Sequence, residues 1–151
     1  MNKHYTKFFG MILTSALLMY AVMYLNTYEM DHIYFSETRL YMTILSTCVM
    51  AVVMLGFMMH MLKNKKINIT ILTLSVIVFF SSFLLMRNQT TVDDVDYMEG
   101  MIPHHSIALL TSSKANLRDP RVRDLADRII KAQHEEIREM KLLIEDLKNK
   151  E

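Results

Sequence analysis

The fold of this chain is decided by residues 40–62, which read LYMTILSTCVMAVVMLGFMMHML and contain no lysine, arginine, aspartate or glutamate. An α-helix rises about 1.5 Å per residue, so a run of this length can cross the roughly 30 Å hydrocarbon core of a bilayer. Residues 8–28 and 67–86 form two further runs of the same kind. A helix buried in a soluble protein would rarely stay apolar on every side over such a length. The sequence therefore predicts a membrane domain in residues 1–87, with three transmembrane helices.

The basic residues around these runs predict their orientation. Five lysines lie on one side of the membrane, two before the first run and three between the second and third; they are Lys3, Lys7, Lys63, Lys65 and Lys66. The other side has only Arg39 and Arg87. Because cytoplasmic loops are enriched in lysine and arginine, the N-terminus should be cytoplasmic. Three crossings of the plasma membrane then place residues 88–151 outside the cytoplasm.

The charge of the tail limits the classes of partner. From Arg87 to the C-terminus there are 11 basic and 13 acidic residues, a mild negative balance that argues against binding to nucleic acid. Lipid is the expected partner of the three apolar runs. The single cysteine, Cys48, lies inside the second run and can form no disulfide within the chain.

The tail is predicted to contain two helices. Apolar side chains recur at helical spacing from Asp93 onward, and acidic residues in the first turn favour a helix start there. Asp119 followed by Pro120 predicts the start of the second helix, because aspartate is a good N-cap and proline suits the first helical position. The apolar face of this second helix consists of Val122, Leu125, Ile129, Gln133, Ile137, Met140, Ile144 and Leu147.

The connection between these helices, residues 115–118, is short, so the helices should lie antiparallel as a hairpin. Pro103 removes a backbone donor inside the first helix and predicts either a kink near Gly100 or a helix restart at Pro103. Two helices bury little core by themselves. We therefore expect a homodimer in which two hairpins complete a four-helix bundle.

The residues best suited to bind a metal are concentrated at positions 101–105, which read Met-Ile-Pro-His-His. A thioether and two imidazoles are ligands that suit copper, and Cu(I) in particular. On a helix Met98, Met101 and His105 share the inward face, with His104 about 100° away. The second helix offers Gln133 and Met140 on its apolar face. His134 and Glu136 flank that face.

A metal-free interpretation accounts for the same residues. Methionine is a common core filler, an isolated histidine on an apolar face is often a hydrogen-bonded core residue, and Gln133 could set the register of a coiled coil. The tail would then be a helical dimerisation or interaction module. Two further groups of residues could pass a soft metal from one site to another, but we interpret them as interfacial residues. They are Met58-Met59-His60-Met61 and Met30-Asp31-His32.

An enzyme is not expected. A carboxylate di-iron site needs Glu-x-x-His on facing helices, and this spacing does not occur in the two predicted helices of the tail. Ser106 stands beside His105, but no third residue is evident that would complete a nucleophilic site.

The residues of the tail resemble a known family. The segment Asp96-Tyr97-Met98-Glu99-Gly100-Met101-Ile102-Pro103-His104-His105, with a later Gln133 and the block Glu136-Ile137-Arg138-Glu139-Met140, resembles the bacterial family of domain of unknown function 305. The resemblance covers residues 93–147. It implies a ferritin-like helical bundle, exported or membrane-anchored, with some members implicated in copper binding and copper tolerance.

The resemblance implies metal binding by Met101, His104, His105 and Met140, and less directly by Met98 and Gln133. This chain departs from the family where glutamine is usual, at Ser106, and where methionine is expected, at Thr111. His134 replaces a second glutamine and could compensate. We therefore expect a membrane-tethered, extracytoplasmic protein that binds copper and sequesters it or passes it to a copper-handling partner.

Overall fold

The computed structural model describes residues 3–150 and is all-α, as predicted. Five α-helices follow one another along the chain, and no strand occurs within residues 3–150. The helices are α1 (Lys3–Val22), α2 (Glu37–Met58), α3 (Lys65–Asn88), α4 (Asp94–Lys114) and α5 (Pro120–Lys148). A short 3-10 helix, Met30–His32, lies between α1 and α2.

Helices α1, α2 and α3 are each long and apolar enough to cross a membrane, as predicted. Their ends differ from the apolar runs. Helix α1 ends at Val22, six residues before the run does, and Arg39 Nη1 donates a 2.6 Å hydrogen bond to the carbonyl oxygen of Met23. Helix α3 begins where Asn64 accepts hydrogen bonds from the backbone of Lys66 and Ile67. Polar capping therefore sets the helix ends, which hydropathy alone does not reveal.

The chain divides into two compact units, each made of two segments. The first unit contains the chain as far as Met23 and then Thr38–Thr91, and it is called the membrane unit because its three helices are long and apolar enough to cross a membrane. The polar unit contains Tyr24–Glu37 and the chain from Val92 onward. The domain predicted from residue 88 thus has an additional segment, the loop between the first two apolar helices.

The membrane unit has a small core at one end of its helices. The core joins all three helices and consists of Tyr5, Phe8, Ala51, Leu55, Leu62 and Ile71. Tyr5 is almost fully buried, and its hydroxyl donates to Asn68 Oδ1 at 2.7 Å and accepts from the backbone nitrogen of Asn64 at 3.1 Å. The polar tip of this tyrosine is therefore satisfied inside the unit.

The polar unit is held together by α4 packed on α5. Its core consists of Met98, Ile102, Leu109, Ile137 and Ile144. Asp119 caps α5 through the backbone nitrogen of Arg121, with Pro120 at the first position, so the predicted helix start is confirmed.

Pro103 does not break the first helix of the tail. Helix α4 is continuous from Asp94 to Lys114, so the helix restart, one of the two predicted alternatives, is wrong. A proline inside a helix costs a hydrogen bond and about 3 kcal/mol. Pro103 and its neighbour Ile102 are both almost completely buried against the core, and this burial offsets the cost.

Candidate metal centre

A groove runs between α4 and α5 and contains most of the predicted ligands. Its lining consists of Asp94, Tyr97, Met98, Met101, His105, Glu136, Glu139, Met140, Leu143, Asp146 and Leu147. Three sulfur atoms and one imidazole therefore share one groove, from Met98, Met101, Met140 and His105. The three residues from α4 are spaced by three and four positions, which places them on one face of the helix.

His105 has an unusual hydrogen-bonding state. Its Nδ1 atom lies 3.1 Å from Glu136 Oε2, yet the contact is not oriented as a hydrogen bond. Nδ1 is buried and has no hydrogen-bond partner in the part of the chain that the structure describes. A buried polar atom without a partner costs about 1–3 kcal/mol, so such atoms are few in native proteins. The groove thus contains an imidazole nitrogen whose pairing is incomplete.

Burial lowers the pKa of the His105 imidazole below its ordinary value of 6.5. The Glu136 carboxylate opposes this shift by favouring the charged ring, and His104 adds to the lowering. The neutral imidazole, which is the form that binds a metal, therefore persists to lower pH than in a free histidine.

In metal-free protein we expect His105 to titrate with a midpoint below 6.5, since burial disfavours its charged form. Glu136→Gln should lower this midpoint further, and His104→Ala should raise it. Because the unfolded chain binds the proton at higher pH, the contribution of His105 to stability should fall as pH decreases below 6.5. NMR titration of histidine ring signals measures these midpoints. A midpoint at or above 6.5 would contradict the effect of burial.

Three predicted site residues lie outside the groove lining. His104 is exposed, and its ring centre is 6.0 Å from that of His105. Gln133 donates from Nε2 to Glu136 Oε2 at 3.2 Å, and so reaches the site through that carboxylate. His134 is exposed, with its ring edge-on to Tyr28 at 6.2 Å.

The loop from Tyr24 to Glu37 is the part of the polar unit that the sequence did not predict. His32 is buried, and its Nδ1 lies 3.0 Å from the hydroxyl oxygen of Ser106, which is fully buried. The same hydroxyl accepts a 2.6 Å hydrogen bond from the backbone nitrogen of Tyr28. Lys141 of α5 donates to Asp31 at 2.6 Å. A polar residue at a core position of α4, Ser106, was the only sequence signal for this contact.

Comparison with known proteins places these features in context. The family described as domain of unknown function (DUF305) matches residues 86–151, which include the whole groove. Uncharacterized protein L153 of Acanthamoeba polyphaga mimivirus is similar to this chain, with 31% identity over 148 residues. That alignment covers 92% of this chain and 94% of the relative, so the similarity extends well beyond the tail into the apolar helices. No solved structure matches the chain.

Proposed function

This chain belongs to the family of domain of unknown function 305, and we propose that it is a membrane-tethered protein that binds Cu(I) outside the cytoplasm. Binding would sequester the ion or hold it for a copper-handling partner. One observation carries the proposal. The thioethers of Met98, Met101 and Met140 line the same groove as His105, whose buried Nδ1 has no hydrogen bond within residues 3–150.

The donor set favours Cu(I) over harder ions. Thioether sulfur is a soft ligand that suits Cu(I), whereas magnesium, calcium and manganese prefer oxygen. An imidazole adds a nitrogen ligand that is neutral at physiological pH. The Glu136 carboxylate lies 3.1 Å from His105 Nδ1 and would place a compensating negative charge beside a cation bound at that nitrogen. Gln133 would in turn hold Glu136, and exposed His104 would receive or release the ion at the surface.

The two chain segments that form the polar unit support the proposed topology. The loop after α1 and the tail after α3 belong to one unit, so they must share one side of the membrane. If α1, α2 and α3 each cross once, both segments emerge on that same side. The five lysines stand at the opposite ends of these helices. By the distribution of positive charge, the N-terminus is cytoplasmic and the polar unit is extracytoplasmic at the plasma membrane.

A homodimer is the proposed assembly. Helices α4 and α5 would form an antiparallel hairpin, and two hairpins would complete a ferritin-like four-helix bundle. Large apolar side chains of α4 and α5 stay 45–62% exposed in the single chain: Tyr97, Val122, Leu125, Leu142 and Leu143. A second copy would cover them. The same surface favours the alternative function, a metal-free dimerisation or interaction module anchored in the membrane.

Cu(I) titration of the full-length protein against a competing chelator tests the proposal. The full chain is needed because Tyr24–Glu37 completes the polar unit. We expect one tightly bound ion per chain. Met101→Leu/Met140→Leu should lower the affinity by at least about 100-fold, since leucine keeps the size and removes two soft ligands.

Met42→Leu is the matched control, because this methionine is exposed on α2 and lies outside the groove. Its Cu(I) affinity should equal that of the unmodified chain. If the unmodified protein is folded and dimeric but binds no Cu(I), the interaction module replaces the copper proposal. Equal affinities for the double variant and the unmodified chain would exclude the groove as the site.

A further inference from the structure

A second cluster of potential metal ligands lies in the loop Tyr24–Glu37, which is part of the polar unit. Glu29, Asp31 and His32 each place one ligand atom within 4.8 Å of the others. His32 Nε2 is 3.8 Å from Glu29 Oε2 and 3.8 Å from Asp31 Oδ1. Two donors that bind one Zn²⁺ at about 2.0–2.2 Å can stand no more than about 4.4 Å apart. The nitrogen is therefore already within the distance at which it and either carboxylate could share one ion.

The orientation of His32 is the second observation that points to a ligand. The residue is only 3% exposed, and its Nδ1 is held by Ser106 at 3.0 Å. Nε2 faces the two carboxylates at 3.8 Å, which is too far for a direct hydrogen bond to either of them. Metal-binding histidines usually bind the ion through one nitrogen while the other donates to an oxygen of the protein. His32 has this arrangement in the tautomer that carries its proton on Nδ1.

Lys141 determines which oxygen of Asp31 is available. Its Nζ donates to Oδ2 at 2.6 Å, whereas Oδ1 is the oxygen near His32. The ammonium group also places a positive charge beside the cluster, which opposes a cation. Glu29 and Asp31 are exposed, so an ion has a direct path from solvent.

We infer that Glu29, Asp31 and His32 form a site for a divalent cation of the zinc type, separate from the methionine groove. One imidazole and two carboxylates suit Zn²⁺ or Mn²⁺, and they lack the soft sulfur ligands that Cu(I) prefers. The bound ion would fix the loop against α4, because His32 contacts Ser106 of that helix. The site needs none of the groove residues, so it stands whether or not the groove binds copper.

Zn²⁺ titration of the full-length protein against a fluorescent chelator tests this inference. His105→Ala serves as the background, so that the groove cannot supply its imidazole. In that background we expect one Zn²⁺ per chain. Adding Glu29→Gln or His32→Gln should lower the affinity by at least about tenfold, because each removes a direct ligand. Glu135→Gln, which removes an exposed carboxylate outside the cluster, should leave the affinity unchanged.

Lys141→Met separates a metal site from a purely structural contact. For a metal site, removal of the ammonium group should raise the Zn²⁺ affinity, since a repelling charge is lost. Circular dichroism confirms that each variant keeps its helices. Absence of Zn²⁺ binding in the His105→Ala background overturns the inference. Binding that neither Glu29→Gln nor His32→Gln weakens overturns it equally, and so does a lower affinity in Lys141→Met.

Discussion

Replacing His105 by alanine is expected to lower the Cu(I) affinity of the full-length protein by at least about 100-fold, and replacing His104 by less than about threefold. The reason is geometric. His105 lines the groove with the methionines, whereas His104 is exposed on the neighbouring face of α4. The family resemblance implies both histidines as ligands, so this pair of variants distinguishes that implication from the observed geometry. Competition titration with a Cu(I) chelator measures both affinities.

Stability provides the control for this experiment. Because Nδ1 of His105 is buried without a hydrogen bond, its removal eliminates an unsatisfied polar atom. Loss of this atom partly offsets the packing lost with the ring, so metal-free His105→Ala should keep its helices and unfold cooperatively, which circular dichroism checks. Equal loss of Cu(I) affinity in the two alanine variants would show that His104 is a direct ligand. Full affinity in His105→Ala would remove the imidazole from the site.

Replacing Ser106 by alanine is expected to release the loop Tyr24–Glu37 from α4. The Ser106 hydroxyl is fully buried and is the partner of both the Tyr28 backbone nitrogen and His32 Nδ1. Its removal leaves the buried His32 Nδ1 and the partly buried Tyr28 amide unpaired, and an unpaired buried polar group costs about 1–3 kcal/mol. Amide hydrogen exchange in residues 24–37 should therefore accelerate by at least about tenfold, which corresponds to about 1.4 kcal/mol.

Ser113→Ala is the matched control, since this serine is exposed on the same helix. In Ser113→Ala, the backbone amides of residues 24–37 should exchange hydrogen at the same rate as in the unmodified chain. Exchange in the membrane unit should not change in either variant. An unchanged exchange rate of the loop in Ser106→Ala would mean that the hydroxyl does not hold the loop, and that other contacts, such as Lys141 with Asp31, are sufficient.

Much of the fold follows from local sequence. The three long apolar helices were predictable from the length of the uncharged runs, and the start of α5 from Asp119 and Pro120. The ends of α1 and α3 were not, because Arg39 and Asn64 set them through capping contacts. The continuity of α4 was also unpredictable, since burial of Pro103 depends on α5 and on the core between the helices.

The candidate site was predictable where one helix determines it. Helical spacing placed Met98, Met101 and His105 together and separated His104, and the groove has this arrangement. The role of Gln133 was harder to predict from the sequence. It was expected to face the metal directly, but its position depends on the register of α5 against α4, which directs its amide to Glu136. The approach of His32 to Ser106 joins segments 74 residues apart, and no local pattern encodes it.

The polar unit consists of two separate segments of the chain, and this constrains the order in which the protein can fold. Residues 24–37 leave the ribosome before α2 and α3, yet the Tyr28 amide pairs with a serine 78 positions later. Contacts over such separations form late in folding, after the intervening chain has been placed. The polar unit can therefore close only after α2, α3 and α4 have been synthesised. Until then the Tyr28 amide lacks its partner, so closure of this unit shows that the second segment has returned to the first.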